Sequence, residues 1–239
     1  MIENNSIQSI RVFGSYGRGD ADSFSDLDIL IVTNKNNDIS EIANDFDDEI
    51  LNRFHKKPSY AWYSKARIEA MYASGHLFAW HLYQESKPVY KITNDLIKIL
   101  GKPNKYEDAI SDAQSIYKIM NSIKPSIIIS PINSVYESGV LFVCLRNLGL
   151  ILSSVLKDNF DFTLDSPYHL NENSLCLDYS EYNILKQNRR ASMRGLPSQQ
   201  LDIVKLINII EVAIKWTSEK LIFLKEELCS GDIIDSKVG

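Results

Sequence analysis

The sequence predicts an α/β (α+β) head built on a small mixed sheet, followed by an all-α helical bundle. Three observations carry that expectation. Residues 6–90 alternate short β-like apolar runs with stretches of helical periodicity. Residues 106–228 hold long runs with helical spacing and few breakers. Between them stands Gly101-Lys102-Pro103-Asn104, whose turn-forming residues suit a linker. The expected limits are 1–100 for the head and 105–230 for the bundle, with 231–239 as a disordered tail.

Each element has a local reason. Ile7 to Phe13 is an apolar-rich run stopped by Gly14, which reads as a first strand. Asp26 to Val32 (Asp-Leu-Asp-Ile-Leu-Ile-Val) reads as a second. Ile39, Ile42, Phe46, Ile50 and Phe54 then recur every three or four residues, one face of a helix. Asp38 with Glu41 gives that helix a capping-box start. Pro58 opens a third strand, Ser59-Tyr60-Ala61-Trp62-Tyr63. Residues 65–85 read as helix, and Glu85 to Lys91 as a short closing strand. Further helices are expected near 107–123, 133–156, 178–192 and 201–228, the last capped by Ser198 after Pro197. Ile203, Leu206, Ile207, Ile210, Ile214, Leu221 and Leu224 form its buried stripe.

Composition narrows the class. The chain has 239 residues, with 26 Lys and Arg against 31 Asp and Glu, a net charge of −5. A chain this acidic lacks the broad basic face of a general nucleic-acid coater. Cys144, Cys176 and Cys229 are far apart and odd in number, which suits a reduced, cytoplasmic protein. His55, His76, His81 and His169 show no i, i+4 pairing of the kind a helical zinc site uses. No signal peptide is visible at the N-terminus. The most apolar stretch, Val140 to Leu156, is broken by Arg146 and Asn147 and falls short of the ~18 apolar residues of a membrane span.

The chemistry lies in Phe13 to Val32. A strand ends in Gly14-Ser15, with Gly17 and Gly19 close behind. Glycines let the backbone fold tightly and turn its N–H groups toward an anion. Ser15 adds a hydroxyl and Arg18 a charge. Asp26-Leu27-Asp28 then opens the second strand. Alternation puts Asp26 and Asp28 on one face, with Leu27 and Ile29 on the other. Two adjacent carboxylates repel and call for a cation. Oxygen-only donors suit Mg²⁺, which takes one or two carboxylates plus substrate phosphates. A phosphate cradle beside a carboxylate pair describes a metal-dependent nucleotide site.

At these residues the sequence resembles the nucleotidyltransferase superfamily related to DNA polymerase beta. Gly14-Ser15, ten residues, then Asp26-x-Asp28 matches its signature. The Arg18-Gly19 and Ser25-Asp26 details match its bacterial branch of minimal and aminoglycoside nucleotidyltransferases. The resemblance covers residues 6–91, and the helical remainder is similar only in layout to the second domain of kanamycin-type enzymes. It implies that Gly14, Ser15, Arg18 and Gly19 serve the triphosphate of ATP, and that Asp26 and Asp28 hold Mg²⁺. It also implies transfer of AMP to an acceptor hydroxyl, on a small molecule such as an aminoglycoside or on a protein or RNA. A homodimer is left open.

The chain departs from that family in one chemical respect. Members usually carry a third carboxylate on the third strand, and residues 51–68 contain no Asp or Glu. Ser59 or Ala61 stands in the expected place. The alternative reading is therefore a catalytically degenerate module that binds nucleotide or a partner. The family also usually has a helix before the first strand, where this chain has about five residues.

Secondary signals complete the expectations. Lys186, Arg189, Arg190 and Arg194 read either as a solvated helix end or as a patch facing the triphosphate or an acidic acceptor, with Arg189 and Arg190 as nucleotide contacts. Glu137 near a helix start is a candidate general base, by resemblance to kanamycin-type enzymes, or a carboxylate favoured by the helix dipole. Arg146-Asn147 resembles the start of the motif of HEPN-class helical RNases, but the following residues lack its His, so no RNase activity is expected. Tyr60, Trp62, Tyr63, Phe78, Trp80 and Tyr83 read mainly as core, with base stacking as the sharper alternative.

Overall fold

The computed structural model describes residues 6–34, 39–157, 159–199 and 201–235, with side chains for all of these but 39–45 and 229–235. The chain divides into two compact units, Met1–Glu107 and Asp108–Gly239.

The first unit runs β1 (Ile7–Phe13), α1 (Gly14–Arg18), β2 (Leu27–Thr33), α2 (Ile39–Phe54), β3 (Pro58–Ser64), α3 (Lys65–Ala73), α4 (Leu77–Glu85), β4 (Lys87–Pro88) and α5 (Leu96–Leu100). The sheet order is β3-β2-β1-β4. β1 is antiparallel to β2 and β4, and β2 is parallel to β3 through the α2 crossover. The mixed sheet and surrounding helices match the expected α/β head.

β2 is apolar almost throughout because both of its faces are covered. Leu27, Ile29 and Ile31 pack with Ile10 and Val12 of β1 and with Phe46 and Ile50 of α2. Leu30 and Val32 pack on the other side with Phe13, Ile68, Met71, Leu82 and Leu96. A register shift between Ile7 and Ser9 sets Ile7, Ile10 and Val12 on the α2 side. Ser9 and Arg11 meet the far elements instead. The Ser9 hydroxyl donates to Asp95 Oδ1 at 2.5 Å, and Arg11 pairs with Asp95 and donates through Nε to Ser86 Oγ at 2.8 Å.

Three expectations for this unit are corrected. The helix expected over 65–85 is two helices, because the chain turns at Gly75 with φ +66°. A Cβ there would stand 2.1 Å from the Lys105 carbonyl oxygen, so this turn admits only glycine without movement. The segment 101–104 is not a free linker. The Asn104 amide donates to the Ala73 carbonyl at 2.7 Å, and the Trp80 indole donates to the Asn104 carbonyl at 3.1 Å. The closing strand keeps only Lys87 and Pro88, and α5 was not foreseen. The Asp38–Glu41 capping box, and the side chains of Ile39 and Ile42, lie outside the described residues.

Among the described residues the second unit has four long helices, α6 (Ala109–Ile129), α7 (Ser134–Leu156), α8 (Tyr179–Arg194) and α9 (Ile203–Asp235). α6 continues through Pro125, beyond the expected end at 123. α9 is capped by Asp202, whose Oδ2 accepts from the Lys205 amide at 3.3 Å, rather than by Ser198. It also runs on through residues 231–235 of the expected tail, Gly231 being tolerated inside a helix at modest cost. Leu206, Ile210, Leu221 and Leu224 are buried as the stripe requires, joined by Ile209, Ala213 and Trp216. Pro131–Leu156 is long and apolar enough to cross a membrane. Most of it is buried, with α6, α8 and α9 packed around α7. Gly139 lets α8 come close, since a Cβ there would lie 3.0 Å from the Arg189 Cα.

Candidate functional site

The site grows from the ends of β1 and β2. Phe13 and Asp28 are register partners across the antiparallel pair. Gly14 follows at φ +66°, and a Cβ on it would sit 3.4 Å from Asp28 Oδ2. The glycine turn and the carboxylate therefore abut. α1 is a single short turn closed by Gly19 at φ +96°, whose N–H donates to the Ser15 carbonyl at 2.8 Å. A helix this short has little macrodipole. What it offers a ligand are its first-turn N–H groups and the Ser15 hydroxyl, with Gly14 and Gly17 buried and Ser15 half-buried.

The loop to β2 is organised by Asp22. Its Oδ1 accepts from the Phe24 amide and the Ser25 hydroxyl, each at 2.9 Å, and the Asp22 amide donates back to Ser25 Oγ at 2.9 Å. This turn delivers Asp26, which is exposed. The ladder begins at Leu27, so Asp26 precedes the strand instead of opening it. Asp28 is half-buried and lies on the sheet face of Leu30 and Val32, opposite Leu27 and Ile29.

β3 settles which residue faces Asp28. In the parallel pair Asp28 is opposite Ser59, and Leu30 is opposite Ala61. Ser59 is exposed, while Ala61 packs against the core on that face. Among the described residues, no three His, Cys, Asp or Glu side chains gather where a metal could sit.

Arg18 is engaged on two sides. Its NH1 donates to Glu85 Oε2 at 2.7 Å, and its Nε reaches both Asp20 carboxylate oxygens at 3.1 Å. Burial works against the charge, but Asp20 and Glu85 outweigh it and raise the pKa of the guanidinium. Glu85 also lies 2.8 Å from His81 Nε2, one turn earlier on α4. Neither Glu85 nor His81 was foreseen; their only trace in the sequence is the i, i+4 spacing. Below this cluster, a Cβ on Gly17 would stand 2.2 Å from the Glu85 carbonyl oxygen. Gly17→Ala should thus force α1 and α4 apart and cost about 1–3 kcal/mol, read as a lower denaturation midpoint.

The expected base and the basic patch lie in the second unit. The Ser126 hydroxyl donates to Glu137 Oε1 at 2.5 Å, tying α6 to α7. Arg189 and Arg190 are half-buried on α8, and Lys186 of the same patch pairs with Asp165 at 2.9 Å. Arg146 holds a loop, donating through NH2 to the Phe162 carbonyl at 2.6 Å. Of the aromatics, Phe78 is core, its ring 5.6 Å edge-on from Phe13. Tyr60 lies toward α2, donating to Asp47 Oδ1 at 2.6 Å.

That loop also carries a pH-dependent contact. Asp161 Oδ2 lies 2.6 Å from His169 Nδ1, and its Oδ1 accepts from the Thr163 hydroxyl at 2.6 Å. Burial raises the Asp161 pKa, but bonds from Thr163 and His169 outweigh it and hold the carboxyl below its ordinary value. Its contribution is therefore full above the unfolded value of about 3.9 and is lost as pH falls through the lower folded one. Asp161→Asn should cost about 1–3 kcal/mol at neutral pH. That deficit should shrink toward zero in denaturation curves recorded below the folded pKa.

Comparison with known proteins adds an independent line. The family model described as nucleotidyltransferase domain matches residues 1–129, more than half of the chain. No curated protein matches the sequence. Similar solved structures include a spectinomycin adenyltransferase, AAD(9), from Enterococcus faecialis with ATP and spectinomycin, at 10% identity and TM-score 0.47, covering 91% of this chain and 92% of that one. Another is a nucleotidyltransferase-like protein from Exiguobacterium sibiricum 255-15, at 14% identity and TM-score 0.36, covering 94% of this chain and 71% of that one. The Gly14-Ser15 turn set against Asp28, and the family match across it, lead to one conclusion: the chain belongs to the nucleotidyltransferase domain family.

Proposed function

We propose that this protein transfers a nucleoside monophosphate, AMP from ATP, to an acceptor hydroxyl. The acceptor is a small molecule such as an aminoglycoside, or else a protein or RNA. The observation that carries this reading is the approach of the Gly14 turn to the Asp28 carboxylate within the matched family domain. The acceptor oxygen forms a bond to the α-phosphorus, the bond to pyrophosphate breaks, and the hydroxyl proton passes to a base. Asp26 and Asp28 offer only oxygen donors and fit Mg²⁺ completed by phosphate oxygens. When bound there, Mg²⁺ supplies charge neutralisation on the phosphates. The turn N–H groups and Ser15 hold phosphate oxygens, and Gly19 closes the turn. Arg18 adds positive charge, with Arg189 and Arg190 as further nucleotide contacts. Glu137, already accepting from Ser126, is the base assigned to the acceptor proton.

A cytoplasmic setting belongs to the proposal. Cys144 and Cys176 are both free thiols, and burial pushes the Cys144 thiol up to about 12. The test is twofold. Millimolar Mg²⁺ and ATP should raise the melting temperature by mass action, and an unchanged curve would overturn the site. Label from the α-phosphate of ATP should then move onto an aminoglycoside, protein or RNA acceptor. A second reading, a degenerate nucleotide-binding module, is favoured by Ser59 standing opposite Asp28. ATP binding without label transfer to any acceptor class would select it.

A further inference from the structure

We propose that Glu85 is a positioning residue for Arg18, so that the last turn of α4 sets how the guanidinium meets the triphosphate. This rests on the nucleotide reading above. Glu85 is fixed from several directions. Its side chain is 9% exposed, accepts from Arg18 at 2.7 Å and lies 2.8 Å from His81 Nε2. Its carbonyl oxygen lies directly under Gly17, where any Cβ would collide. The next residue, Ser86, takes Arg11 of β1 at both its hydroxyl and its carbonyl oxygen, each at 2.8 Å. α4 is thus bolted to β1 and α1 at the point where Arg18 leaves α1.

A guanidinium carries its five N–H donors in one rigid plane. Anchoring NH1 on Glu85 and Nε on Asp20 fixes that plane before a ligand arrives. A phosphate oxygen then meets a donor whose rotamer freedom is already spent, which is the advantage of preorganisation.

Two effects of removing the Glu85 charge oppose each other. Charge alone would tighten binding of an anionic ligand. Loss of orientation would loosen it. Orientation should dominate, because Arg18 is ion-paired with Glu85 at 2.7 Å and already answers the charge of that carboxylate. Without Glu85, the guanidinium is left with Asp20, whose side chain is 52% exposed and draws it toward solvent.

The test is a double-mutant cycle on the full chain, with Mg·ATP affinity measured by isothermal titration. Arg18→Ala and Glu85→Gln should each weaken binding about tenfold, in the range seen when an orienting partner is lost. The double variant should bind no more weakly than Arg18→Ala, since Glu85 acts only through Arg18. Unchanged or tighter binding in Glu85→Gln would overturn the proposal, as would multiplicative effects or unchanged binding in Arg18→Ala. No binding by the wild type would remove the nucleotide reading itself, and this proposal with it. Should Glu85→Gln not fold, Glu85→Asp keeps the charge but withdraws it by one methylene. It should weaken binding in the wild-type background and not in Arg18→Ala, and wild-type affinity would refute the assignment.

Discussion

Asp28→Asn is expected to lower Mg²⁺-dependent nucleotidyl transfer by about 10²–10³-fold, the scale of losing one preorganised group that answers transition-state charge. Folding should survive. The side chain is half-buried and the amide has the same shape. Because a Cβ on Gly14 would stand 3.4 Å from Asp28 Oδ2, the substitution also lies beside the turn assigned to phosphate. Mg·ATP affinity should therefore fall along with turnover, as titration calorimetry would show without knowledge of the acceptor. Asp26→Asn should act in the same direction. Asp22→Asn is the control: it weakens the turn that presents Asp26 without removing a donor, so its effect should be smaller. Full activity in Asp28→Asn, with an unchanged melting temperature, would sink the metal-site assignment.

The strands and the long helices were legible because their causes are local. β2 announces itself as an unbroken apolar run, since both of its faces are covered. The Gly14-Ser15 turn and the Asp26-Leu27-Asp28 segment were legible because glycine and paired carboxylates have few other uses in such an order. What stayed hidden depends on contacts distant in sequence. Nothing near Gly75 says that the Lys105 carbonyl will lie 2.1 Å from its missing Cβ, so the break between α3 and α4 could not be read. Asn104 looked like linker because its partners, Ala73 and Trp80, are some 24 to 31 residues away. Glu85 has no local signature because its partner, Arg18, is 67 residues away. Arg146 shows the converse. Its motif-like setting drew attention, and the structure gives it a carbonyl to hold.

The choice between Ser59 and Ala61 was of the same kind, because strand register is a property of pairing. The parallel ladder places Ser59 opposite Asp28, on the same sheet face and exposed, while Ala61 sits one step deeper against the core. Neighbouring strands lie about 4.7–4.9 Å apart, so carboxylates at these two paired positions are close enough to share a cation. Ser59→Asp should therefore supply the third carboxylate that residues 51–68 lack. Beside Asp28 it adds a second carboxylate on one sheet face, and divalent-ion affinity rises with ligand charge. Expected results are a divalent-ion midpoint at least tenfold lower, measured with Mn²⁺ and ATP by electron paramagnetic resonance, and a faster release of pyrophosphate. Ala61→Asp should instead destabilise the fold, because it sets a carboxylate beside Leu30 and Tyr63. If Ser59→Asp leaves both the midpoint and the rate unchanged while the protein still binds Mg·ATP, the Asp28 face of the sheet is not where the reaction is organised. If it raises the midpoint and the melting temperature falls, the two carboxylates repel without a shared cation, and the site does not hold the metal assigned to it.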